Sequence, residues 1–203
     1  KFMSKIKIYN SADGYDLAAA DYDKKEKYLN SFEQNKILPL LGEVKNKEIL
    51  EVGVGTGRLA IRLANLGAKI TAVDVSPQML AVLKSKNDKV KIVMGDAENL
   101  PFSNDVFDLV IATFLIVHLK NPKIFFDEAY RVLKDGGQLV VTNINQKEAP
   151  AVKTRNGIIK IESYYHRPAK VIEDLESLAF KVDKNIFIYE NEIWVNQIIV
   201  ANK

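Results

Sequence analysis

The segment Ile49-Leu50-Glu51-Val52-Gly53-Val54-Gly55-Thr56-Gly57 limits what this chain can fold into more than any other. A short apolar run breaks into three glycines at alternate positions, and the next apolar run, residues 69–73, ends on Asp74. This reads as a strand, a glycine-rich turn, a helix, and a second strand tipped by a carboxylate. Glycines let the backbone turn tightly and come close to a ligand. The acid falls where the ribose of a nucleotide would sit.

The spacing discriminates between nucleotides. A dinucleotide fingerprint, G-x-G-x-x-G, would need its third glycine at position 58, which is Arg58. Glu51 stands two residues before the first glycine. An acid there opposes a pyrophosphate and attracts an ammonium. A ligand with adenosine at one end and a cationic amino acid at the other fits better than NAD.

The rest of the chain alternates strands and helices. Helices are predicted over 23–37, 58–66, 77–84, 122–133 and 168–179, from helical spacing, the capping pairs Ser76-Pro77 and Asn121-Pro122, and the stop at Gly67. Strands are predicted over 47–52, 69–73, 90–94, 107–112, 138–143, 182–189 and 193–201. Residues 4–22 are mixed and polar and receive no regular element. Alternation up to residue 143 implies an α/β fold, a parallel sheet wound with helices on both faces. The last two strands are too close for a crossover, so they form a hairpin and one of them runs antiparallel. No internal repeat or linker divides the 203 residues, so a single domain over 1–203 is expected.

Several short motifs share the order and spacing of one family. Glu51–Gly57, then Val73-Asp74, Gly95-Asp96-Ala97-Glu98-Asn99-Leu100-Pro101-Phe102, Phe107-Asp108-Leu109-Val110 and Leu133-Lys134-Asp135-Gly136-Gly137-Gln138-Leu139 resemble the successive motifs of the class I S-adenosylmethionine-dependent methyltransferases, in particular their small "type 11" members. The resemblance covers most of the chain. It implies a Rossmann-like, doubly wound, seven-stranded, mostly parallel sheet with one reversed strand in the C-terminal hairpin. It also implies S-adenosyl-L-methionine as cofactor and a transferase that methylates a small-molecule acceptor by in-line displacement.

The resemblance assigns a binding role to each motif residue. Gly53, Gly55 and Gly57 would bring bare backbone to the cofactor, and Glu51 would meet its ammonium. Asp74 would hold the ribose, Asp96 and Ala97 the adenine, and Val75 and Met79 its faces. Tyr22, in Ala20-Asp21-Tyr22-Asp23, is similar to a tyrosine that covers the cofactor, and Thr113 follows the fourth strand, where the methyl group would emerge. Methyltransferases acting on planar amines often carry an [Asp/Asn/Ser]-Pro-Pro-[Tyr/Phe] motif there. This chain has Thr113-Phe114-Leu115-Ile116, which counts against adenine or amide N-methylation.

The catalytic candidates are His118, whose ordinary pKa of about 6.5 suits a general base, and Tyr165 and His166 in Tyr164-Tyr165-His166. The latter close a long connection, residues 144–167, after the fifth strand. Such connections at the carboxyl edge tend to carry function. With a hairpin expected at Asn156-Gly157, this segment is read as a substrate cap.

Composition removes other classes. No cysteine and two histidines leave little for a metal cluster, and none is expected. The net charge of +3 comes from scattered lysines without interleaved aromatics, so nucleic acid is an unlikely partner. No run of ~18–20 apolar residues and no signal peptide is seen, and a cytoplasmic enzyme is expected. Two competing readings stay open: a non-catalytic S-adenosylmethionine-binding protein and an NAD-dependent oxidoreductase.

Overall fold

The computed structural model describes residues 6–155 and 157–203. Its elements in chain order begin with β1 (Ile8–Tyr9), α1 (Ser11–Ala18), a 3₁₀ segment (Ala19–Lys25), α2 (Glu26–Glu33) and α3 (Ile37–Leu40). The α/β body follows with β2 (Glu48–Val52), α4 (Ala60–Asn65), β3 (Lys69–Asp74), α5 (Pro77–Lys86), β4 (Lys91–Met94), β5 (Phe107–Ala112), a 3₁₀ turn (Ile116–His118), α6 (Pro122–Val132) and β6 (Leu133–Ile144). The chain ends with β7 (Ala151–Thr154), β8 (Gly157–Ile161), α7 (Pro168–Ser177), β9 (Lys181–Glu190) and β10 (Ile193–Asn202).

Seven strands form one sheet in the order β4-β3-β2-β5-β6-β10-β9. The pairs among β2 to β6 are parallel, and β10 is antiparallel to both β6 and β9. One reversed strand within a terminal hairpin is therefore the arrangement present. The strands are near-continuous apolar runs because both faces are covered. Their alternation splits the core into two layers. Leu50, Val52, Val110, Leu139 and Val141 face Phe125, Phe126, Ala129 and Val132 of α6 and Leu175 of α7. Ile49, Ile70, Leu109, Ile111 and Val140 face Leu63 of α4 and Leu80 and Leu83 of α5.

The chain winds to one side from β2 to β4, then restarts beside β2 with β5. The carboxyl ends of β2 and β5 therefore lie at the switch point where open α/β sheets bind ligands. Local signals set the helices. The Ser76 hydroxyl accepts from the Met79 amide (3.1 Å) and Pro77 sits at the first turn of α5. Gly67, at φ +87°, stops α4. Asn121 makes no side-chain capping bond; Pro122 alone marks the start of α6.

The N-terminal region departs from expectation. Residues 11–18, given no element from sequence, form α1, capped by Asn10 accepting from the Asp13 amide (2.8 Å). The helix predicted over 23–37 is broken into the 3₁₀ segment, α2 and α3, with Gln34 and Asn35 at positive φ. The hairpin in the long connection is present as β7–β8, with Thr154 paired to Gly157. Gly157 thus lies in the ladder, and Asn156 lies outside the described residues. An unforeseen parallel pairing of β1 with β8 makes a second, three-stranded sheet. Gly14 of α1 packs against Ile161 of β8, where a Cβ would come within 2.8 Å.

Gly57 has φ +86°, and a Cβ there would lie 2.2 Å from Leu83, which is fully buried. The turn from β2 into α4 is thereby seated directly on α5. Gly57→Ala combines a left-handed backbone with overpacking, for a loss of about 2–4 kcal/mol. A urea unfolding midpoint well below wild type checks it, with an unchanged slope expected.

Candidate functional site

A cavity of ≈ 350 Å³ opens at the carboxyl ends of the parallel strands. The turn after β2 contributes Gly53, Val54, Gly55 and Thr56, and β2 itself contributes Glu51. Asp74 and Val75 come from the end of β3 and Met79 from α5. Asp96 and Ala97 follow β4, Thr113, Phe114 and Leu115 follow β5, and His118 lies on the 3₁₀ turn. Tyr15 of α1, Tyr22 of the 3₁₀ segment and Leu29 of α2 close the side away from the sheet. The candidates Tyr22, Glu51, Gly53, Gly55, Asp74, Val75, Met79, Asp96, Ala97, Thr113 and His118 are thus brought to one cavity.

Glu51 is 3 % exposed, and its Oε2 is buried with no hydrogen-bond partner among the described residues. Burial pushes its pKa up to about 8, against the pull of Arg58 and with the help of Glu33 and Asp74. A buried acid without a partner is costly. It is also what a site for a cation requires. Asp74 is structurally committed as well. Its Oδ2 accepts from the Gly55 amide (2.8 Å) and its Oδ1 from the Ser76 amide (2.9 Å). Burial raises its pKa despite these bonds. Each oxygen keeps a lone pair for a ligand hydroxyl. Asp96 is exposed at the mouth, with Oδ1 accepting from the Glu98 amide (2.9 Å). An unpaired acid on β2, a second on β3, a third after β4 and a glycine floor fit a ligand carrying an ammonium, a ribose and a base.

The N-terminal cover is tied down by polar bonds. Ser76 Oγ and the Gln78 amide donate to Asp16, Thr56 Oγ1 donates to Asp23, and Lys86 pairs with Asp23 at 2.9 Å. Arg58, the residue that spoils the dinucleotide spacing, forks onto Glu33 with two bonds of 2.7 and 2.8 Å and reaches Asn30 at 2.7 Å. Its sequence position gave no sign of this partner on α2. Phe114 was also missed as a site residue. It sits at φ +59°, its amide held by Thr142 Oγ1 (2.9 Å), its ring under the Arg58 guanidinium at 5.7 Å. A bulky residue with positive φ is uncommon and concentrates at functional sites.

A second, smaller chamber of ≈ 110 Å³ adjoins the first. Tyr15, Tyr22, Leu29, Phe114 and His118 line both, so they form the neck between them. Its outer walls come from α2, with Tyr28 and Phe32, and from the long connection, with Ile144, Gln146, Pro150 and Val152.

Three candidates lie elsewhere. Gly57 packs under the turn against Leu83 and does not line the cavity. Tyr165 is 38 % exposed and packs against Trp194 of β10, ring centroids 6.4 Å apart. His166 Nε2 meets the carbonyls of Ile116 (2.9 Å) and Leu119 (3.0 Å), and its own carbonyl accepts from Asn143. The chain leaving β8 runs back across the 3₁₀ turn, where the Tyr164 amide donates to Val117 O at 2.7 Å. That course takes Tyr165 and His166 past the site instead of into it.

Comparison with known proteins agrees with this geometry. A family model described as "Methyltransferase domain" matches residues 50–141. An uncharacterised protein of Methanocaldococcus jannaschii is 30% identical over 178 residues, covering 82% of this chain and 80% of that protein. A demethylmenaquinone methyltransferase of Clavibacter sepedonicus is 36% identical over 120 residues, 58% of this chain and 47% of that one. The chain thus spans about half the length of that relative. Among solved structures, a methyltransferase of Streptomyces caelestis superposes with a TM-score of 0.78 at 19% identity, covering 95% of this chain and 98% of that one, a likeness of fold. The chain belongs to the class I S-adenosylmethionine-dependent methyltransferase family.

Proposed function

We propose that this chain, as a single domain, transfers a methyl group from S-adenosylmethionine to a small-molecule acceptor by direct in-line displacement. One observation carries the reading: the unpaired, buried Glu51 carboxyl lies on the same cavity as Asp74, Asp96 and the bare turn Gly53–Gly55. Glu51 suits the ammonium end, and Asp74 suits both ribose hydroxyls. Asp96 and the Ala97 backbone suit the adenine edge, with Val75 and Met79 on its faces. Tyr22 covers the ligand, and Thr113 lies on the side from which the methyl leaves. A pyrophosphate would have to lie beside Glu51, with Arg58 already committed to Glu33 and Asn30.

Bound S-adenosylmethionine supplies an already activated methyl group. What remains for the protein is orientation and exclusion of water, and orientation contributes roughly 7–11 kcal/mol in well-aligned systems. The second chamber holds the acceptor against the neck. Its walls Ile144, Gln146, Pro150 and Val152 support reading the segment 144–167 as the cap, shared with α2. Among the described residues no helix is long and apolar enough to cross a membrane.

Thermal or denaturant unfolding with S-adenosylhomocysteine tests the reading. At 100 times Kd the gain in stability should be ~2.7 kcal/mol, with no comparable gain from NADH. Stabilisation by NADH alone would point to the oxidoreductase. Stabilisation by S-adenosylhomocysteine without turnover on any acceptor would point to a binding protein.

Glu51 adds a dependence on pH. In the free protein its carboxyl is largely protonated below about pH 8. A bound ammonium favours the carboxylate, so binding releases a proton in that range. Affinity for S-adenosylhomocysteine should therefore rise as pH is raised from 6 towards 8, by up to about tenfold per unit. Calorimetry at pH 6, 7 and 8 should show this slope in the wild type and a flatter, weaker profile in Glu51→Gln. An identical profile in the variant would remove Glu51 from the ammonium site.

A further inference from the structure

His118 has no free nitrogen. Its Nδ1 lies 2.8 Å from the carbonyl oxygen of Glu162, which can only accept, so Nδ1 carries a hydrogen. Its Nε2 lies 2.7 Å from the Tyr15 hydroxyl. Burial lowers the His118 pKa, which keeps the ring neutral and Nε2 an acceptor. The Tyr15 O–H therefore donates to His118, and the Tyr15 oxygen retains its lone pairs, with no other partner among the described residues. The two rings meet edge to face at 5.2 Å, which fixes the phenol. Burial pushes the Tyr15 pKa well up, so its oxygen stays a neutral acceptor. Both residues stand at the neck, lining both chambers.

The rest of the second chamber sets the class of molecule that would meet Tyr15. Its walls include Leu29, Phe32, Phe114, Val117, Pro150 and Val152. At ≈ 110 Å³ it is of the order of the ~150 Å³ apolar cavity known to take benzene. Its charged wall residue is Lys25, which disfavours an ammonium group. These features call for a single ring with an uncharged nucleophile that carries a hydrogen.

We propose that Tyr15, positioned by His118, docks the hydroxyl of a phenol-class acceptor held in the second chamber. The acceptor O–H donates to the Tyr15 oxygen, and this leaves an oxygen lone pair free to face the first chamber. As the O–CH₃ bond forms and the S–CH₃ bond breaks, the acceptor proton passes to the Tyr15 oxygen and the Tyr15 proton to His118 Nε2, leaving the methyl ether, S-adenosylhomocysteine and an imidazolium. His118 then acts through Tyr15 and does not touch the acceptor. This inference rests on the methyl-transfer reading and names its acceptor.

The test uses 4-methylphenol and, as the probe lacking the hydroxyl, toluene. Each is titrated into the full chain saturated with S-adenosylhomocysteine, with binding followed by ligand-observed NMR. The wild type should prefer 4-methylphenol at least tenfold. Tyr15→Phe keeps the ring and should reduce that preference below threefold. His118→Asn keeps a donor for the Glu162 carbonyl but loses the Nε2 acceptor, and should reduce it likewise. Because both residues also line the first chamber, the S-adenosylhomocysteine Kd of each variant is measured first and every titration is run at saturation. The proposal is overturned by a preference that survives in Tyr15→Phe or by none in the wild type. A wild type that does not bind S-adenosylhomocysteine overturns the methyl-transfer reading as well.

Discussion

The Asp74 carboxylate ties the site together. One oxygen accepts from the Gly55 amide and the other from the Ser76 amide. Two strand-to-helix turns, after β2 and after β3, are therefore fixed to each other by a single buried side chain. Charge-assisted bonds of this kind contribute roughly 1.5–3 kcal/mol each. The network continues outward, since Ser76 Oγ donates to Asp16 on α1. The floor of the cavity and part of its cover thus share one set of hydrogen bonds. A shift of the glycine turn would move the cover with it.

Charge balance around the cavity follows a second constraint. Glu33, Glu51 and Asp74 are all buried, and Arg58 is the counter-charge shared by Glu33 and Glu51. Arg58 binds Glu33 directly, with both side chains nearly inaccessible, and so holds α2 against the α/β body. Removing one partner of such a pair costs about 3–5 kcal/mol, because the other charge is stranded. Glu51 is left with only the longer-range share of the Arg58 field, and its pKa stays high. The arrangement leaves Glu51 an acid with no directly bonded cation among the described residues, open to a cation on a ligand.

What was legible in the sequence is the part that depends on local pattern. The parallel strands are apolar because both faces are buried, and their bounds fall within a few residues of the runs that predicted them. Most motif residues reach the cavity because they sit at strand ends, where the topology leaves no other place for them. The failures involve distant partners. Helix α1 reads Ser11-Ala12-Asp13-Gly14-Tyr15-Asp16-Leu17-Ala18, polar and carrying a glycine; that glycine lets β8 approach, a contact made 147 residues along the chain. Gly57 looked like a ligand glycine but answers to Leu83. Tyr165 and His166 were placed by the position of their segment, whereas the path of the chain across Ile116–His118 decides where they go. Tyr15 carried no motif at all.

The division of labour follows from these two kinds of contact. The acids and the glycine floor belong to the sheet, whose register is set by two packed layers of core. The second chamber is walled by α2, the turn after β5, the end of β6 and the connection into β7. On the proposed reading, changes in α2 and in the connection would alter acceptor preference while the cofactor chamber stays as it is. The two functions meet at the neck, where Tyr15, Tyr22, Leu29, Phe114 and His118 touch both chambers. On the proposed reading a side chain there would meet both occupants at once. This explains why the strained backbone at Phe114 is tolerated: the Thr142 hydroxyl holds the Phe114 amide, while Arg58 and Phe32 fix the ring at the junction.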